Sequence, residues 1–236
     1  MAPIKVIVFD VNETLLDLAA LDPHFARIFG DAEIRKAWFA QLMQLFLTAT
    51  ITGEYQQFQV LAGAALDMVA ELRNVTVTGE DRRAIQETLL ALPAHQDVLP
   101  ALEELQSSGL RLAVLTNSTE KAARAQLTHA GLAPYFEAML SADAVQRFKP
   151  AREAYAYAAA TLRVEADEIR LVAAHGWDIS GALAAGCRAA FVRRAGKVLS
   201  PLQERPDIVG TDVHDVARQI MVSDGSIARS HDPTGR

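Results

Sequence analysis

Short apolar runs without polar alternation recur along the chain and predict strands that are buried on both faces. Residues 4–9 (IKVIVF) form the first run, and residues 111–116, 169–174 and 189–192 form three more. Uninterrupted apolar and β-branched residues are typical of strands in a parallel sheet that is covered on both sides. The pattern therefore predicts four parallel strands.

Helix-like patterns separate or follow these later runs, over residues 100–109, 118–130, 150–162 and 178–186. The first of them has a proline near its start and ends at a glycine, which are typical start and stop signals of a helix. Alternation of strands and helices predicts an α/β fold with a doubly wound, Rossmann-like parallel sheet.

Residues 17–95 interrupt this alternation with helical periodicity alone. Helix-period stretches cover residues 31–51, 54–73 and 80–91. In the first stretch one helical face carries large apolar residues, which predicts packing inside a helical bundle. These are Leu42, Leu45 and Phe46, with Trp38 and Phe39 a turn earlier. We therefore predict an all-helical cap at residues 17–95, inserted after the first strand of an α/β core made of residues 1–16 and 96–222. Residues 223–236 are polar and aperiodic, and we expect a disordered tail there.

Composition and charge narrow the possible function classes. Half of the 236 residues are hydrophobic and 22% are charged, which predicts a globular chain with a sizeable core. The 23 Lys and Arg residues against 29 Asp and Glu residues give a net charge of −6, which disfavours nucleic-acid or membrane partners. Cys187 is the single cysteine, so an intramolecular disulfide is excluded. We find no signal-peptide pattern or long apolar span, and we expect a cytoplasmic protein.

Polar residues follow the predicted strands at the points where ligands bind in open α/β sheets. Asp10 follows the first strand, Thr116 and Asn117 end the second, and residues 173–178 (AAHGWD) follow the third. Lys149 adds a basic residue before a predicted helix. Taken singly, an Asp or Thr here is as readily explained by a helix cap or a turn, and a Lys by a solvated charge.

Taken together, FDVNETLLDL, LTNS, FKP and HGWD resemble the four motifs of the haloacid dehalogenase superfamily, in the same order. The helical insert after the first motif resembles the small cap of that superfamily, and the resemblance covers residues 4 to 221. It implies an enzyme with an aspartate nucleophile. The superfamily includes many Mg²⁺-dependent phosphatases and a smaller branch of metal-independent 2-haloacid dehalogenases.

Two positions favour the dehalogenase branch. The phosphatases have an acid two residues after the nucleophile, where this chain has Asn12, and an amide cannot exchange a proton at neutral pH. They also have a metal-binding acid at the position of Ala174, whose methyl group offers no ligand to Mg²⁺. The resemblance therefore implies a hydrolase of carbon–halide bonds that needs no metal or other cofactor and acts on a small halogenated carboxylic acid.

The resemblance also implies a role for individual residues. Asp10 corresponds to the nucleophile, Lys149 to the cation that keeps it ionised, and Asp178 to the acid that activates the hydrolytic water. The expected substrate-binding residues are Val11, Thr14, Phe39, Phe58, Thr116, Asn117, Tyr155, His175 and Trp177.

Three departures affect the residues that hold the substrate. Where the family has an Arg after the cap Trp, this chain has Phe39, although Arg35 lies one helical turn earlier. Where the family tends to have Ser-Ser-Asn, this chain has residues 173–175 (AAH), so His175 is either an anion contact, a water-positioning base or a structural histidine. Ser118 replaces a usual Gly.

Two other functions remain open at this stage: a superfamily phosphatase acting on a small phosphate ester, and a catalytically silent protein that keeps the fold for binding. The family resemblance is also compatible with a homodimer. No feature of the sequence requires one.

Overall fold

A computed structural model describes residues 2–224 of the chain. Six strands form one parallel sheet in the order β3-β2-β1-β4-β5-β6. The strands are β1 (Val6–Phe9), β2 (Arg111–Thr116), β3 (Ala138–Ser141), β4 (Ile169–Ala173), β5 (Arg188–Val192) and β6 (Ile208–Gly210). The prediction of an α/β fold with a parallel sheet is confirmed.

Nine α-helices accompany the sheet in the described residues. They are α1 (Asp22–Phe29), α2 (Ile34–Thr52), α3 (Phe58–Arg73), α4 (Gly79–Leu90), α5 (Val98–Ser107), α6 (Glu120–His129), α7 (Arg152–Leu162), α8 (Gly176–Ala184) and α9 (Val213–Ser223). Helices α1 to α4 all fall between β1 and β2, in the part of the chain where helical periodicity had replaced the strand–helix alternation. No helix in the described range 2–224 is long and apolar enough to span a membrane.

The central strand β1 explains why the sheet is covered on both faces. All four of its residues are buried, but they enter two different apolar clusters. Ile7 and Phe9 belong to the cluster that includes side chains of α1 to α5 and α9, whereas Val6 and Val8 belong to the one that includes α7 and α8. Alternate side chains of a strand point to opposite faces, so an uninterrupted apolar run is needed here.

The strand order also positions the functional site. The chain turns to β2 and β3 on one side of β1 and to β4, β5 and β6 on the other. Loops after β1, β2 and β4 therefore leave the same edge of the sheet beside this change of direction. In open α/β sheets this is where a crevice forms.

The structure adds elements that the apolar pattern did not predict. Strands β3 and β6 have four and three residues, respectively, and both contain partly exposed positions. Helices α1 and α9 were also missed. The helix that was predicted over residues 150–162 begins at Arg152, so Pro150 lies before its first turn.

The expected disordered tail begins too early. Helix α9 continues to Ser223, and the Asp224 side chain is buried, where it accepts a 2.6 Å hydrogen bond from Nε of Arg170 in β4. Arg170 is a fully buried charge that also pairs with Asp207. Because a buried charge needs carboxylate partners, the pair with Asp224 fixes the end of α9 against β4. The remaining residues of the expected tail, 225–236, lie outside the described range.

Candidate active site

Asp10, Lys149 and Asp178 meet at the edge of the sheet where β1 and β4 end. Asp10 is the residue after β1, and its backbone N–H donates a 3.0 Å hydrogen bond to the carbonyl of Val172 in β4. Asp178 lies in the first turn of α8, and Lys149 lies in the loop before α7. All three side chains are almost completely buried. Buried charges require partners, so their mutual contacts decide what the site can do.

Lys149 is the electrostatic centre of this group. Its Nζ lies 3.0 Å from Oδ1 of Asp10 and 2.6 Å from Oδ2 of Asp178, and it donates a 2.7 Å hydrogen bond to the carbonyl of Leu115. An ammonium group has three N–H donors, and here all three have an acceptor. Asn117 fixes the Lys149 backbone through hydrogen bonds of 2.8 and 3.1 Å. Asn117 therefore orients Lys149 with both of its amide atoms.

These contacts decide the charge on Asp10. Burial alone would raise the pKa of the Asp10 carboxyl, but the charge of Lys149 and the hydrogen bond and charge of His175 outweigh burial, so the pKa lies well below its usual range. Lys149 is stabilised in the same way: burial would lower its pKa, but Asp10 and Asp178 raise it. The pair is therefore ionised at neutral pH.

Asp178 has the opposite tendency. Burial raises the pKa of its carboxyl, and although Lys149 lowers it, the nearby charge of Asp10 raises it further. Its second oxygen, Oδ1, accepts a 2.6 Å hydrogen bond from the hydroxyl of Tyr155. Gly181 allows Tyr155 of α7 to approach α8, because a Cβ there would collide with the Tyr155 hydroxyl and would lie 2.6 Å from Cβ of Pro150. A carboxylate with a raised pKa is a better proton acceptor.

Thr14 connects the loops that follow β1 and β4. Its hydroxyl donates a 2.7 Å hydrogen bond to Oδ2 of Asp10 and accepts a 3.0 Å bond from the backbone N–H of Ala174. Ala174 thus contributes its backbone to the site. Val11 is different: its side chain is buried in the core, and its carbonyl accepts hydrogen bonds from the next turn of the loop.

His175 lies directly against the nucleophile candidate. Its Nδ1 is 3.1 Å from Oδ2 of Asp10, and its Nε2 is 2.9 Å from Oε2 of Glu13. Burial would lower the pKa of the imidazole, but the hydrogen bonds and charges of these two carboxylates raise it overall. Two carboxylate contacts at a buried position favour a role in the site over that of a purely structural histidine.

Phe39 and Trp177 enclose His175 in an aromatic stack. The His175 ring lies 5.6 Å from the Phe39 ring and 5.0 Å from the Trp177 ring, with interplanar angles of 19° and 24°. Nζ of Lys197 lies 5.3 Å from the centroid of the Phe39 ring. Phe39 and His175, the two positions at which the sequence was expected to depart from the family, thus pack on each other.

Glu13 and Lys197 are the site residues that sequence reasoning missed. Glu13 has φ of 63°, a left-handed conformation that is uncommon for any residue except glycine. Lys197 pairs with the same Oε2 that contacts His175. Glu13 lies inside the first motif, so its position was a usable signal, and backbone strain of this kind concentrates at functional sites. No motif marks Lys197.

Arg35 is not available as a substitute for the missing Arg. It is buried, its Nε donates to Oδ1 of Asp22, and its Nη1 lies 3.7 Å from Oε1 of Glu13. Arg35 is therefore not a solvent-exposed residue of α2. Arg35 is part of the charge network behind Glu13.

Two other predicted residues lie around the centre rather than in it. Thr116 ends β2, and its hydroxyl accepts a 3.1 Å hydrogen bond from the backbone N–H of Ser118. Phe58 begins α3, and its ring lies 5.6 Å from that of Phe46. Phe58 therefore packs between α3 and α2. No contact of Phe58 with His175 or Trp177 is observed among the described residues.

Two cavities border the site. The larger, of about 900 Å³, is lined by Phe39, His175 and Trp177 together with apolar residues of α2 and of the loop 196–203. The smaller, of about 430 Å³, lies between α3, α4 and α6 and includes Phe58. The aromatic residues expected in one pocket are thus divided between two cavities.

The described part of the chain, residues 2–224, contains no group of three or more His, Cys, Asp or Glu side chains arranged to hold a metal ion. The carboxylates at the site have protein cations as partners instead.

Comparison with known proteins places this geometry in a family. The haloacid dehalogenase-like hydrolase model matches residues 4–186. (S)-2-haloacid dehalogenase 2 of Pseudomonas sp. (strain CBS-3) is 29% identical over 211 residues, covering 89% of this chain and 92% of that protein. (S)-2-haloacid dehalogenase of Pseudomonas sp. (strain YL) is 28% identical over 206 residues, covering 86% and 89%.

Solved structures agree with the sequence relatives. The crystal structure of an L-2-haloacid dehalogenase superimposes with a TM-score of 0.89 at 26% identity, covering 93% of this chain and 100% of that one. The L-2-haloacid dehalogenase from Xanthobacter autotrophicus with covalently bound chloropropionic acid has the same fold, with a TM-score of 0.86 at 24% identity and coverage of 92% and 98%. The chain therefore belongs to the haloacid dehalogenase-like hydrolases.

Proposed function

We propose that this hydrolase is a 2-haloacid dehalogenase in which Asp10 displaces the halide. The observation that carries the proposal is the ionised Asp10 carboxylate, held by Lys149 at one oxygen and by Thr14 and His175 at the other. A carboxylate must be ionised to act as a nucleophile, and the depressed pKa of Asp10 keeps it so. The sequence relatives named 2-haloacid dehalogenases support the same substrate class.

In the first step an oxygen of Asp10 attacks the carbon that bears the halogen. The new C–O bond forms as the carbon–halogen bond breaks, and the halide leaves with the electron pair of that bond. The product is a neutral ester between Asp10 and the 2-carboxyalkyl group. Lys149 and Asn117 hold the reacting carboxylate in place, since a preorganised nucleophile avoids the entropy cost of orientation.

In the second step water attacks the carbonyl carbon of the Asp10 ester. The bond between this carbonyl carbon and the ester oxygen then breaks, so the product leaves with an oxygen that came from Asp10. The leaving alkoxide takes the proton that Asp178 accepted from the water and becomes the 2-hydroxy acid, and the Asp10 carboxyl releases its remaining proton to solvent. Asp178 accepts the proton of the attacking water, a role for which its raised pKa suits it. Lys149 stabilises the oxyanion that develops on Asp10, and Tyr155 orients Asp178.

The substrate acid lies between His175 and the apolar residues of the larger cavity. Phe39 and Trp177 form its apolar wall. A cavity of about 900 Å³ is much larger than 2-chloropropionate requires, so the site accommodates acids with longer apolar chains.

Isotope labelling tests the covalent step directly. A single turnover of 2-chloropropionate in ¹⁸O-labelled water is expected to give unlabelled lactate and to place the label in the Asp10 carboxylate. The Asp10→Asn variant is expected to release no halide, because an amide is a poor nucleophile. Label in the lactate of the first turnover would mean that water attacks the substrate itself, and the scheme would be wrong.

A phosphate assay separates the remaining functions. Each reaction is run on 2-chloropropionate and on p-nitrophenyl phosphate, with and without EDTA. Halide release that chelator leaves unchanged supports the proposal. Phosphate release that needs added Mg²⁺ would support a phosphatase, and release of neither product would support a binding protein.

A further inference from the structure

The protonation of His175 follows from what its two nitrogens face. Nδ1 lies 3.1 Å from a carboxylate oxygen of Asp10, and Nε2 lies 2.9 Å from one of Glu13. An ionised carboxylate only accepts hydrogen bonds, and a neutral imidazole has a single N–H. Both contacts are satisfied only when both nitrogens carry a proton. The geometry therefore requires a positively charged imidazolium.

The charged groups that surround His175 are consistent with this state. On one side lie Asp10 and, behind it, the paired Lys149 and Asp178; on the other side lies Glu13, which contacts Lys197 and Arg35. Lys149 and Arg35 each have a further carboxylate partner, Asp178 and Asp22 respectively, whereas Lys197 shares Glu13 with His175. Phe39 and Trp177 cover the two ring faces and carry no charge.

A substrate that is itself a carboxylate creates an electrostatic problem in this site. Attack brings the negative charge of Asp10 close to the negative charge of the acid, and like charges repel strongly where water is excluded. A cation must therefore lie between them. Lys149 has no N–H to spare, because its three donors already meet Asp10, Asp178 and the carbonyl of Leu115.

His175 does have a donor to spare. Oδ2 of Asp10 receives hydrogen bonds from both His175 and Thr14, so Thr14 still satisfies that oxygen if Nδ1–H turns to another acceptor. Nε2–H, bound to Glu13, stays in place and keeps the ring anchored during such a turn. Phe39, which occupies the position of the family Arg, has no hydrogen-bond donor in its side chain.

We propose that the His175 imidazolium binds the carboxylate of the substrate beside Asp10, and that Glu13 is the positioning residue that keeps His175 protonated and anchored. This rests on the proposed dehalogenase function. The unusual left-handed conformation of Glu13 is then explained, because it brings a carboxylate to the far side of the imidazole. A positively charged ring is not needed for packing between two aromatic side chains.

The pH dependence of kcat/KM gives the first test. His175 has a raised pKa, so the imidazolium persists below that pKa and is lost as the pH rises through it. We therefore expect kcat/KM for 2-chloropropionate to fall as the pH rises through the pKa of His175, which gives the pH profile an alkaline limb. Glu13→Gln removes a charge in contact with the ring, and an adjacent carboxylate shifts a pKa by about 1–3 units. The limb is therefore expected to move to lower pH by about that amount, with KM rising more than kcat falls.

Two further variants separate positioning from folding. Glu13→Gly removes the carboxylate and suits the left-handed backbone, so it is expected to fold well and still to shift the limb. His175→Gln is neutral at every pH and is expected to abolish the limb and raise KM about 10- to 100-fold, as for a lost charge-assisted contact. Glu33→Gln, on an exposed carboxylate that pairs with Lys36, is the control and is expected to change nothing.

Binding of propionate gives a test that needs no turnover. Propionate has the carboxylate but no halogen, and its dissociation constant follows from the fluorescence of Trp177, which stacks on His175. A Trp38→Phe background removes the other tryptophan. The affinity for propionate is expected to weaken as the pH rises. In Glu13→Gln this weakening is expected to occur at a lower pH than in the natural protein. NMR titration of the His175 ring is expected to show the same two pKa values.

The outcomes distinguish this inference from the proposed function. The inference would be overturned if the alkaline limb and the His175 titration are both unshifted in Glu13→Gln. If ¹⁸O label is found in Asp10 in the same set of experiments, the proposed dehalogenase function still stands. Absence of halide release with pH-dependent propionate binding would overturn the proposed chemistry and leave the anion site standing. Propionate affinity that is independent of pH would overturn the anion site.

Discussion

Replacing Lys149 by methionine tests whether one cation holds the centre of the site together. The Lys149 side chain is fully buried, and its ammonium contacts both Asp10 and Asp178, whose side chains are buried too. Methionine keeps much of the length and apolar volume of the side chain but removes the charge and all three donors. Two carboxylates then remain buried within the same site without their shared cation.

The expected loss is large. Removing one partner of a buried ion pair costs about 3–5 kcal/mol of unfolding free energy, because the remaining charge is left uncompensated. The carbonyl of Leu115 also loses its donor, and a buried unsatisfied group costs about 1–3 kcal/mol. These contributions are not additive, and we expect Lys149→Met to lose about 3–5 kcal/mol near pH 8.

The sign of the pH dependence follows from the carboxylates. In the natural protein the depressed pKa of Asp10 gives stability that is present above the unfolded-state pKa and is lost only in strong acid. In Lys149→Met the pKa values of Asp10 and Asp178 rise, because Lys149 no longer opposes the effects of burial and of their mutual repulsion. The unfolding free energy that the variant loses relative to the natural protein is therefore expected to be smaller at pH 5 than at pH 8.

Urea unfolding at both pH values measures this difference. Lys36→Met is the matched control, since Lys36 forms an exposed pair with Glu33 and its loss is expected to change stability by less than about 0.5 kcal/mol. A deficit for Lys149→Met that is below about 1 kcal/mol, or equal at the two pH values, would refute the electrostatic account of the site.

Two other substitutions probe separate contacts. Asp178→Asn removes the proton acceptor for ester hydrolysis, so the adduct is expected to accumulate on the intact protein and appear as added mass; slower adduct formation with no accumulation would contradict that role. Arg170→Met leaves the buried Asp224 without its partner and is expected to lower unfolding free energy by about 3–5 kcal/mol with the active site intact; an unchanged thermal unfolding midpoint would show that the end of α9 contributes little.

The sequence was sufficient to predict that Asp10, Lys149 and Asp178 lie together. Asp10 and Asp178 follow apolar runs that parallel strands require, and strand ends of one sheet must lie at one edge. Lys149 was assigned through the resemblance of the FKP motif, and its contacts at 2.6 and 3.0 Å agree with that assignment. Asp10 and Asp178 could be found because regular secondary structure determines where they lie, whereas Lys149, in the loop before α7, could be found only through the motif.

The surroundings of the site could not be predicted in the same way. Lys197 lies in an irregular segment between β5 and β6, and only the tertiary structure brings it to Glu13. Arg35 was ambiguous because helical periodicity gives the face of a residue but not its ion-pair partner. Phe58 was assigned to the substrate pocket with Trp177, yet the structure places these two rings in different cavities. Loop paths and side-chain pairing depend on long-range packing, which a local pattern does not contain.

The pairing of Phe39 with His175 shows how the two departures from the family belong together. The ring centroids of Phe39 and His175 lie 5.6 Å apart, and Nζ of Lys197 lies 5.3 Å from the Phe39 centroid. A guanidinium at position 39 would therefore lie beside two cations. Like charges about 5–6 Å apart repel by about 1–3 kcal/mol for an effective dielectric constant between that of water and about 20.

Phe39→Arg alone is thus expected to lower the pKa of His175 and to lower kcat/KM for 2-chloropropionate, although it restores the family residue. Adding His175→Asn removes the conflicting charge and leaves the new guanidinium free to bind the substrate carboxylate. We expect the double variant to exceed the activity predicted from the product of the two single effects by about tenfold or more, as for residues in direct contact. Kinetics of the four proteins in this cycle measure the coupling. A Phe39→Arg variant that by itself gains activity, with His175 still titrating at its original pKa, would show that the two positions act independently.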